Sequence, residues 1–248
     1  MSKSINIFGF HSIESLLKTN PESVIKVFVQ INRRDKRVND LINILRNQKI
    51  TFAPTDRNEL DRMAKGEVHQ GVISEVILPP LLNEEFLIKS ISENSSKLLV
   101  LVLDSIQDPR NLGACLRSAN AAGVDYVVIN KDGSAPINAL VHKTSAGAIN
   151  SLKIFHVTNL SRIIKDMQKR GVWVIGLDGG SKSTIYDVNL TDSTAIVMGA
   201  EGKGIRRLIK ETCDQIVTIP MSGNIESLNV SVATGIALFE SKRQRETT

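Results

Sequence analysis

The sequence predicts an α/β protein: an open, mostly parallel sheet in the longer C-terminal part, with a smaller α/β unit before it. Three observations carry that reading. Residues 98–103 (LLVLVL) form a continuous apolar run, the pattern of a parallel strand covered on both faces. From residue 97 onward, strand-length apolar runs alternate with helix-period segments, as in βα units laid on one sheet. Pro79-Pro80 and Asn94-Ser95-Ser96 bracket a seam that separates this part from a shorter alternation upstream.

In the first part, residues 12–18 read as a short helix after a turn at Gly9. Residues 24–31 (VIKVFVQI) read as a strand, β-branched and alternating. Over 36–48, Val38, Leu41, Ile42 and Leu45 fall at i, i+3, i+4 and i+7, one face of a helix. A brief strand at 51–53, a short helix at 57–63 and a strand at 72–77 follow. The expected division is a first domain over 1–78, a linker over 79–96 with a helix at 82–91, and a second domain over 97–248. In the second domain strands are expected at 98–103, 126–129, 154–157, 172–177, 195–198 and 216–219. Helices are expected at 112–122, 161–168, 206–213 and 229–243.

The chain has 248 residues, 42% hydrophobic and 23% charged, which is ordinary for a globular protein and excludes fibrous or wholly disordered readings. No apolar run of about 18 residues is present, so no membrane span is expected. Met1 to Phe10 lacks the basic flank and apolar core of a secretory signal. Cys115 and Cys213 are far apart and read as reduced, buried thiols, which fits a cytoplasmic protein. The net charge of +5 permits a polyanionic partner without requiring one. The densest basic cluster, Arg33-Arg34-Asp35-Lys36-Arg37, reads equally as solvated surface or as a phosphate-contacting patch.

Ligands of open α/β sheets bind beyond the carboxyl ends of the strands. Four segments there are unusual: 104–113, ahead of a helix that carries Arg117; Gly176-Leu-Asp-Gly179-Gly180; Gly199-Ala-Glu201-Gly202-Lys203-Gly204; and 220–229. Familiar motifs fail in them. Gly180-Ser-Lys-Ser-Thr184 lacks the glycine that must precede the lysine of a phosphate loop. The 199–204 glycines have the wrong spacing for a dinucleotide fingerprint. Ser227 has no nucleophile-elbow context. His11, His69, His142 and His156 are too scattered for a local metal motif, and none is expected. Asn111, Arg117, Glu201, Ser227 and Asn229 remain, each beside a glycine-rich turn or opening a helix. Each has a bland alternative as a cap or surface residue.

Three ordered segments resemble the motifs of SpoU-type RNA 2′-O-methyltransferases of the SPOUT superfamily. They are Asn111-Leu-Gly-Ala-Cys-Leu-Arg117-Ser-Ala, Met198-Gly-Ala-Glu201-Gly-Lys-Gly-Ile, and Ile219-Pro-Met with Ser227-Leu-Asn229-Val-Ser-Val-Ala. Phe8-Gly-Phe-His11 and His69-Gln-Gly71-Val resemble the substrate-binding domain that many of them carry. The resemblance implies a trefoil-knotted C-terminal domain, where periodicity alone predicts an ordinary open sheet. It implies a homodimer with S-adenosyl-L-methionine as cofactor. It points to bacterial enzymes that methylate a guanosine 2′-hydroxyl of large-subunit (23S) ribosomal RNA. Gly199, Ile219 and Leu228 match cofactor-contacting positions, and Leu177, Gly179 and Met221 border them. Arg117 matches the family's catalytic arginine. A guanidinium is permanently protonated, so it suits a phosphate clamp and alkoxide stabiliser better than a base. Asn111, Glu201, Ser227 and Asn229 would orient it and the target nucleotide. Competing readings are a non-catalytic ribosome-associated RNA-binding protein with a vestigial pocket, methylation of a tRNA instead, and a nucleotide-dependent oxidoreductase.

Overall fold

The computed structural model describes residues 4–33, 35–77, 81–224 and 227–247. Arg34 of the basic cluster, Leu78 and the Pro79-Pro80 boundary lie outside them. Two compact units form. The described residues of 1–80 together with Ile137–Ser151 make one, and Leu81–Pro136 with Leu152 onward makes the other.

The first unit holds a four-stranded mixed sheet of β1 (Ser4–Phe8), β2 (Val24–Gln30), β3 (Phe52–Thr55) and β4 (Val72–Ile77), in the order β1-β4-β2-β3. Strand alternation covers both its faces. Ile7, Val27 and Val72 pack with α1 (Phe10–Thr19) and α2 (Lys36–Asn47), whereas Phe8 and Ile73 pack with Leu60 and Ala64 of α3 (Arg57–Ala64). Gly9, at φ 82° and ψ 153°, turns the chain from β1 into α1, a conformation open essentially to glycine alone. Asp35 and Asp56 cap α2 and α3 by accepting from Val38 N and Glu59 N.

Two arginines of the basic cluster, Arg33 and Arg37, are committed within this unit. Arg33 pairs with Asp35 and donates to the Gln70 carbonyl. Arg37 pairs with Glu14 at 3.1 Å, and both guanidinium groups lie over the buried Phe10 ring, at 5.1 and 4.7 Å. His69 is buried as well. Its Nδ1 accepts from Gly71 N (3.0 Å), so its Nε2 carries the proton and donates to Asp61 (2.9 Å).

The second unit holds α4 (Glu84–Glu93), β5 (Leu99–Asp104), α5 (Pro109–Ala122), β6 (Tyr126–Asn130), β7 (Lys153–Val157), α7 (Leu160–Gln168), β8 (Trp173–Leu177), β9 (Thr194–Gly199), α8 (Arg207–Thr212), β10 (Gln215–Val217) and α9 (Val230–Glu246). α6 (Ala139–Thr144), in the connection between β6 and β7, packs instead against β1. The six strands are all parallel, in the order β10-β8-β9-β5-β6-β7. β5 is central and wholly buried, which is why its sequence is an unbroken apolar run. On one face α4, α7 and α8 supply Leu87, Ile91, Ile163, Ile164, Met167 and Ile209 to the core. α5 and α9 pack on each other, with Cys115 Sγ 3.4 Å from Thr234 Oγ1.

β5, β6 and β7 step outward in one direction, and β9, β8 and β10 lie on the other side of β5. The topological switch point is therefore between β5 and β9, where Asp104 pairs with Gly199. The excursion after β8 is tied to the C-terminal helix. Gln244 bonds Leu190 N and Val188 O, and Arg245 bonds the carbonyls of Leu190 and Asp192.

Several expectations need correction. β1 and α6 were not foreseen. The helix expected at 112–122 begins at Pro109, capped by Asp108, so Asn111 is not its cap and Arg117 stands in its third turn. The strand expected at 216–219 is Gln215–Val217.

His142 in α6 is buried and its Nε2 has no partner among the described residues. Burial pushes its pKa from 6.5 down to about 4. The unfolded chain takes up this proton near pH 6.5, while the folded chain resists until about pH 4. Stability is therefore intact above pH 6.5 and falls as the pH drops toward 4, by about 3 kcal/mol. Urea titrations of His142→Leu should show a flatter dependence between pH 6.5 and 4.5 than the native chain. An identical slope would exclude His142 as its source.

Candidate active site

The site is built at the carboxyl ends of β5, β8, β9 and β10. After β9 the chain folds back on itself. A Cβ at Gly199 would lie 2.1 Å from Gly204 C, 2.2 Å from Ile205 N and 2.3 Å from Gly204 O. Gly204 N donates to Ala200 O at 2.8 Å, and Gly202 and Gly204 adopt positive φ. Close approach at Gly199 and left-handed backbone at 202 and 204 account for the glycine spacing, with no need of a dinucleotide.

Two carboxylates fasten this loop. Asp178, just past β8, accepts from Ile205 N (3.3 Å) and from Lys210 Nζ (2.7 Å). Asp104, which ends β5 and has no exposed side-chain surface, accepts from Arg206 N (2.9 Å) and from the Arg206 guanidinium (2.7 Å). Sequence reading passed over both. The signal that marks them is a carboxylate directly after a buried parallel strand.

The loop carries Glu201 to Asn111 and Asn229. Asn229 caps α9, its Oδ1 accepting from Ser231 N (2.9 Å) and Ser231 Oγ (2.6 Å). Its Nδ2 is thereby directed at Asn111 Oδ1 (3.0 Å) and Glu201 Oε1 (3.4 Å). Asn111 in turn donates from Nδ2 to Glu201 Oε2 (2.8 Å). Each amide orientation fixes the next, so three residues from distant segments form one rigid polar rim.

Beside the rim lies a cavity of about 310 Å³, at the small end of the range for ligand sites. Gly199, Ile219, Leu228, Leu177, Gly179 and Met221 all line it, as do Glu201 and Ser227. Lys203 and Thr218 also line it and were not singled out from sequence. Arg117 and Asn111 do not line it. Arg117 is exposed on α5 and makes no hydrogen bond or ion pair among the described residues. None of the four histidines lines the cavity. Among the described residues no group of His, Cys, Asp or Glu is placed to hold a metal ion. Burial raises the Cys115 pKa to about 11, and burial with the Asp214 and Asp104 charges raises that of Cys213 to about 12, so both stay thiols at neutral pH. The 180–184 segment is no phosphate loop: Ser181 Oγ donates to Ile216 O, and Thr184 forms a capping box with Asp187.

A switch-point cavity on a wholly parallel sheet, rimmed by a glycine loop, defines an α/β ligand-binding enzyme fold. Comparison with known proteins specifies it. Residues 98–239 match the SpoU rRNA methylase family, and residues 6–80 match the RNA 2′-O ribose methyltransferase substrate-binding domain. The chain belongs to the SpoU rRNA methylase family. It is 48% identical, over 98% of both chains, to the 23S rRNA (guanosine-2′-O-)-methyltransferase RlmB of Haemophilus influenzae. It is 44% identical to that of Pseudomonas aeruginosa, over 99% of this chain and 98% of the relative. The SpoU methyltransferase AviRb from Streptomyces viridochromogenes, solved in complex with AdoMet, shares the fold. Its TM-score is 0.81 at 21% identity, over 99% of this chain and 92% of that one.

Gly199→Ala tests the fold-back. Its Cβ meets backbone atoms that cannot move aside, so the loop must open and the cavity with it. We expect a loss of about 1–3 kcal/mol in urea unfolding. Unchanged stability would show that the loop does not depend on this contact.

Proposed function

We propose that this chain transfers the methyl group of S-adenosyl-L-methionine to the ribose 2′-hydroxyl of a guanosine in 23S ribosomal RNA, acting as a cytoplasmic homodimer. The observation that carries this reading is the Asn111–Glu201–Asn229 rim, closed by hydrogen bonds beside the cavity in a chain of this family.

The cavity fits the cofactor. Its apolar lining of Leu177, Ile219, Met221 and Leu228 suits a flat ring, and a Cβ at Gly179 or Gly202 would meet nothing within 4 Å, so the cradle is open. These residues with Gly199 would hold it. When bound, it supplies a methyl group on a sulfonium, already activated for transfer. The chain's own part is to bring the ribose oxygen in line, at about 3–3.5 Å, and to ease loss of its proton. Glu201, Asn111 and Asn229 fix the rim against which the nucleotide is placed, with Ser227 beside them. Arg117 holds the phosphate next to the target ribose and stabilises the developing alkoxide.

Arg117 stands apart from the cavity lining, which favours action across a dimer. Exposed Val232 and Phe239 on α9, the helix packed on α5, offer an apolar face for a second copy. The ties from Gln244 and Arg245 to the excursion after β8 fit a knotted path for the C-terminal segment. The first unit, with the substrate-binding match, would grip the RNA, whose folded form is recognised by shape and 2′-hydroxyls. Two reduced cysteines and the absence of a membrane-spanning helix among the described residues fit a cytoplasmic site of action.

Transfer of labelled methyl to 23S RNA, with mapping of 2′-O-methyl sites in a deletion strain, tests the activity. No transfer by the native chain would overturn it. Arg117→Ala should lose about 10²–10³ in turnover, with cofactor affinity by calorimetry nearly unchanged. Arg117→Lys should recover little, because lysine lacks the planar fork. Mixing Arg117→Ala with Gly199→Ala should restore activity if the arginine acts across the dimer. Arg117→Ala turning over within a few-fold of the native chain would contradict its role.

A further inference from the structure

Arg206 follows the glycine loop and meets Asp104 at the switch point, the ligand-bearing end of the sheet. Asp104 accepts from Arg206 N through Oδ2 (2.9 Å) and from Arg206 Nε through Oδ1 (2.7 Å), and the same Oδ1 lies 2.7 Å from Nη2 as an ion pair. The backbone bond alone already fastens the loop to β5. The side chain adds a second, oriented contact, yet it is not buried with its partner: Asp104 has 0% side-chain exposure and Arg206 54%. A guanidinium has five N–H donors. Nε is spent on Asp104, which also pairs with Nη2 as a charge, and the N–H groups of the Nη1/Nη2 end make no hydrogen bond among the described residues. A buried carboxylate thus holds one edge of an arginine rigid while its bidentate end stays open to solvent. This is the preorganised form in which arginine captures a phosphate.

We propose that Arg206 binds a backbone phosphate of the RNA strand at the carboxyl end of β5, two residues along the chain from the cavity-lining Gly204, with Asp104 as its positioning residue. The proposal rests on the methyltransferase reading for the identity of the polyanion. Arg206 fixes the strand, and the rim of Asn111, Glu201 and Asn229 receives the nucleotide.

The test measures RNA binding by filter retention at several salt concentrations, RNA KM and kcat, cofactor affinity by calorimetry, and thermal unfolding. Arg206→Met should raise the RNA KM about tenfold and lower the salt slope of RNA binding by about one. Its kcat should stay within a few-fold and its cofactor affinity within about twofold. Arg206→Lys should keep the salt slope but not the KM, since charge remains and the fork is lost. Asp104→Asn should raise the RNA KM with Arg206 still present. If it fails to fold, the two Arg206 variants decide alone. An RNA KM and salt slope unchanged in Arg206→Met would overturn the proposal. So would RNA KM and cofactor affinity worsening by the same factor in Arg206→Met, the mark of a mere loop latch; a lower unfolding temperature is expected in either case, because Asp104 loses its counter-charge. A native chain that binds RNA without methylating it would overturn the methyltransferase reading and leave the salt-slope test of Arg206 standing.

Discussion

The close approach of Gly204 and Ile205 to Gly199 is the contact on which the site depends. It bends the chain back over the end of β9, where there is no room for a side chain. Once bent, the loop offers three consecutive amides to acceptors. Gly204 N goes to Ala200 O, Ile205 N to Asp178 and Arg206 N to Asp104. Asp104 and Asp178 close neighbouring parts of the sheet, so the loop is fastened to the edge where the strand order reverses. Glu201 is then delivered to Asn111 and Asn229, and the cavity is walled. Removing the glycine undoes each of these steps in turn.

The buried charge at Asp104 fits the same logic. A carboxylate with no exposed surface must be paired and hydrogen-bonded to be tolerated. Arg206 supplies both the charge and the donors, from its side chain and its main chain. Breaking that pair would leave an uncompensated charge at the centre of the site. The electrostatics of the first unit are different in kind. There Arg33 and Arg37 are drawn onto Phe10, Asp35 and Glu14, and much of the charge that stands out in the sequence serves local structure.

Much of the fold was legible in the residues. The apolar run at 98–103 marked a central parallel strand, and the spacing of Val38, Leu41 and Leu45 marked the buried face of α2. β1 was not legible, because an edge strand of five residues pairs only with β4 and has little local pattern. α6 was not legible either. Six residues are too few to form a helix on propensity, and packing against the first unit holds it. In the site, Asn111, Glu201 and Asn229 stood out by their places beside glycine turns, and they are bonded to one another. Asp104 and Asp178 did not stand out. The bond from Arg206 to Asp104 joins residues 102 apart, and no local period reports such a pairing.

Hydrogen bonds join Asn111, Glu201 and Asn229 into one rim, not three separate side chains. A double-mutant cycle on Asn111→Ala and Glu201→Ala, read as single-turnover methyl transfer to RNA, tests it most directly. Strong non-additivity is expected: either change alone breaks the shared bond, so the double variant should be little slower than the worse single one. Losses that simply multiply would contradict it, since two residues that act independently pass their full separate costs to the pair.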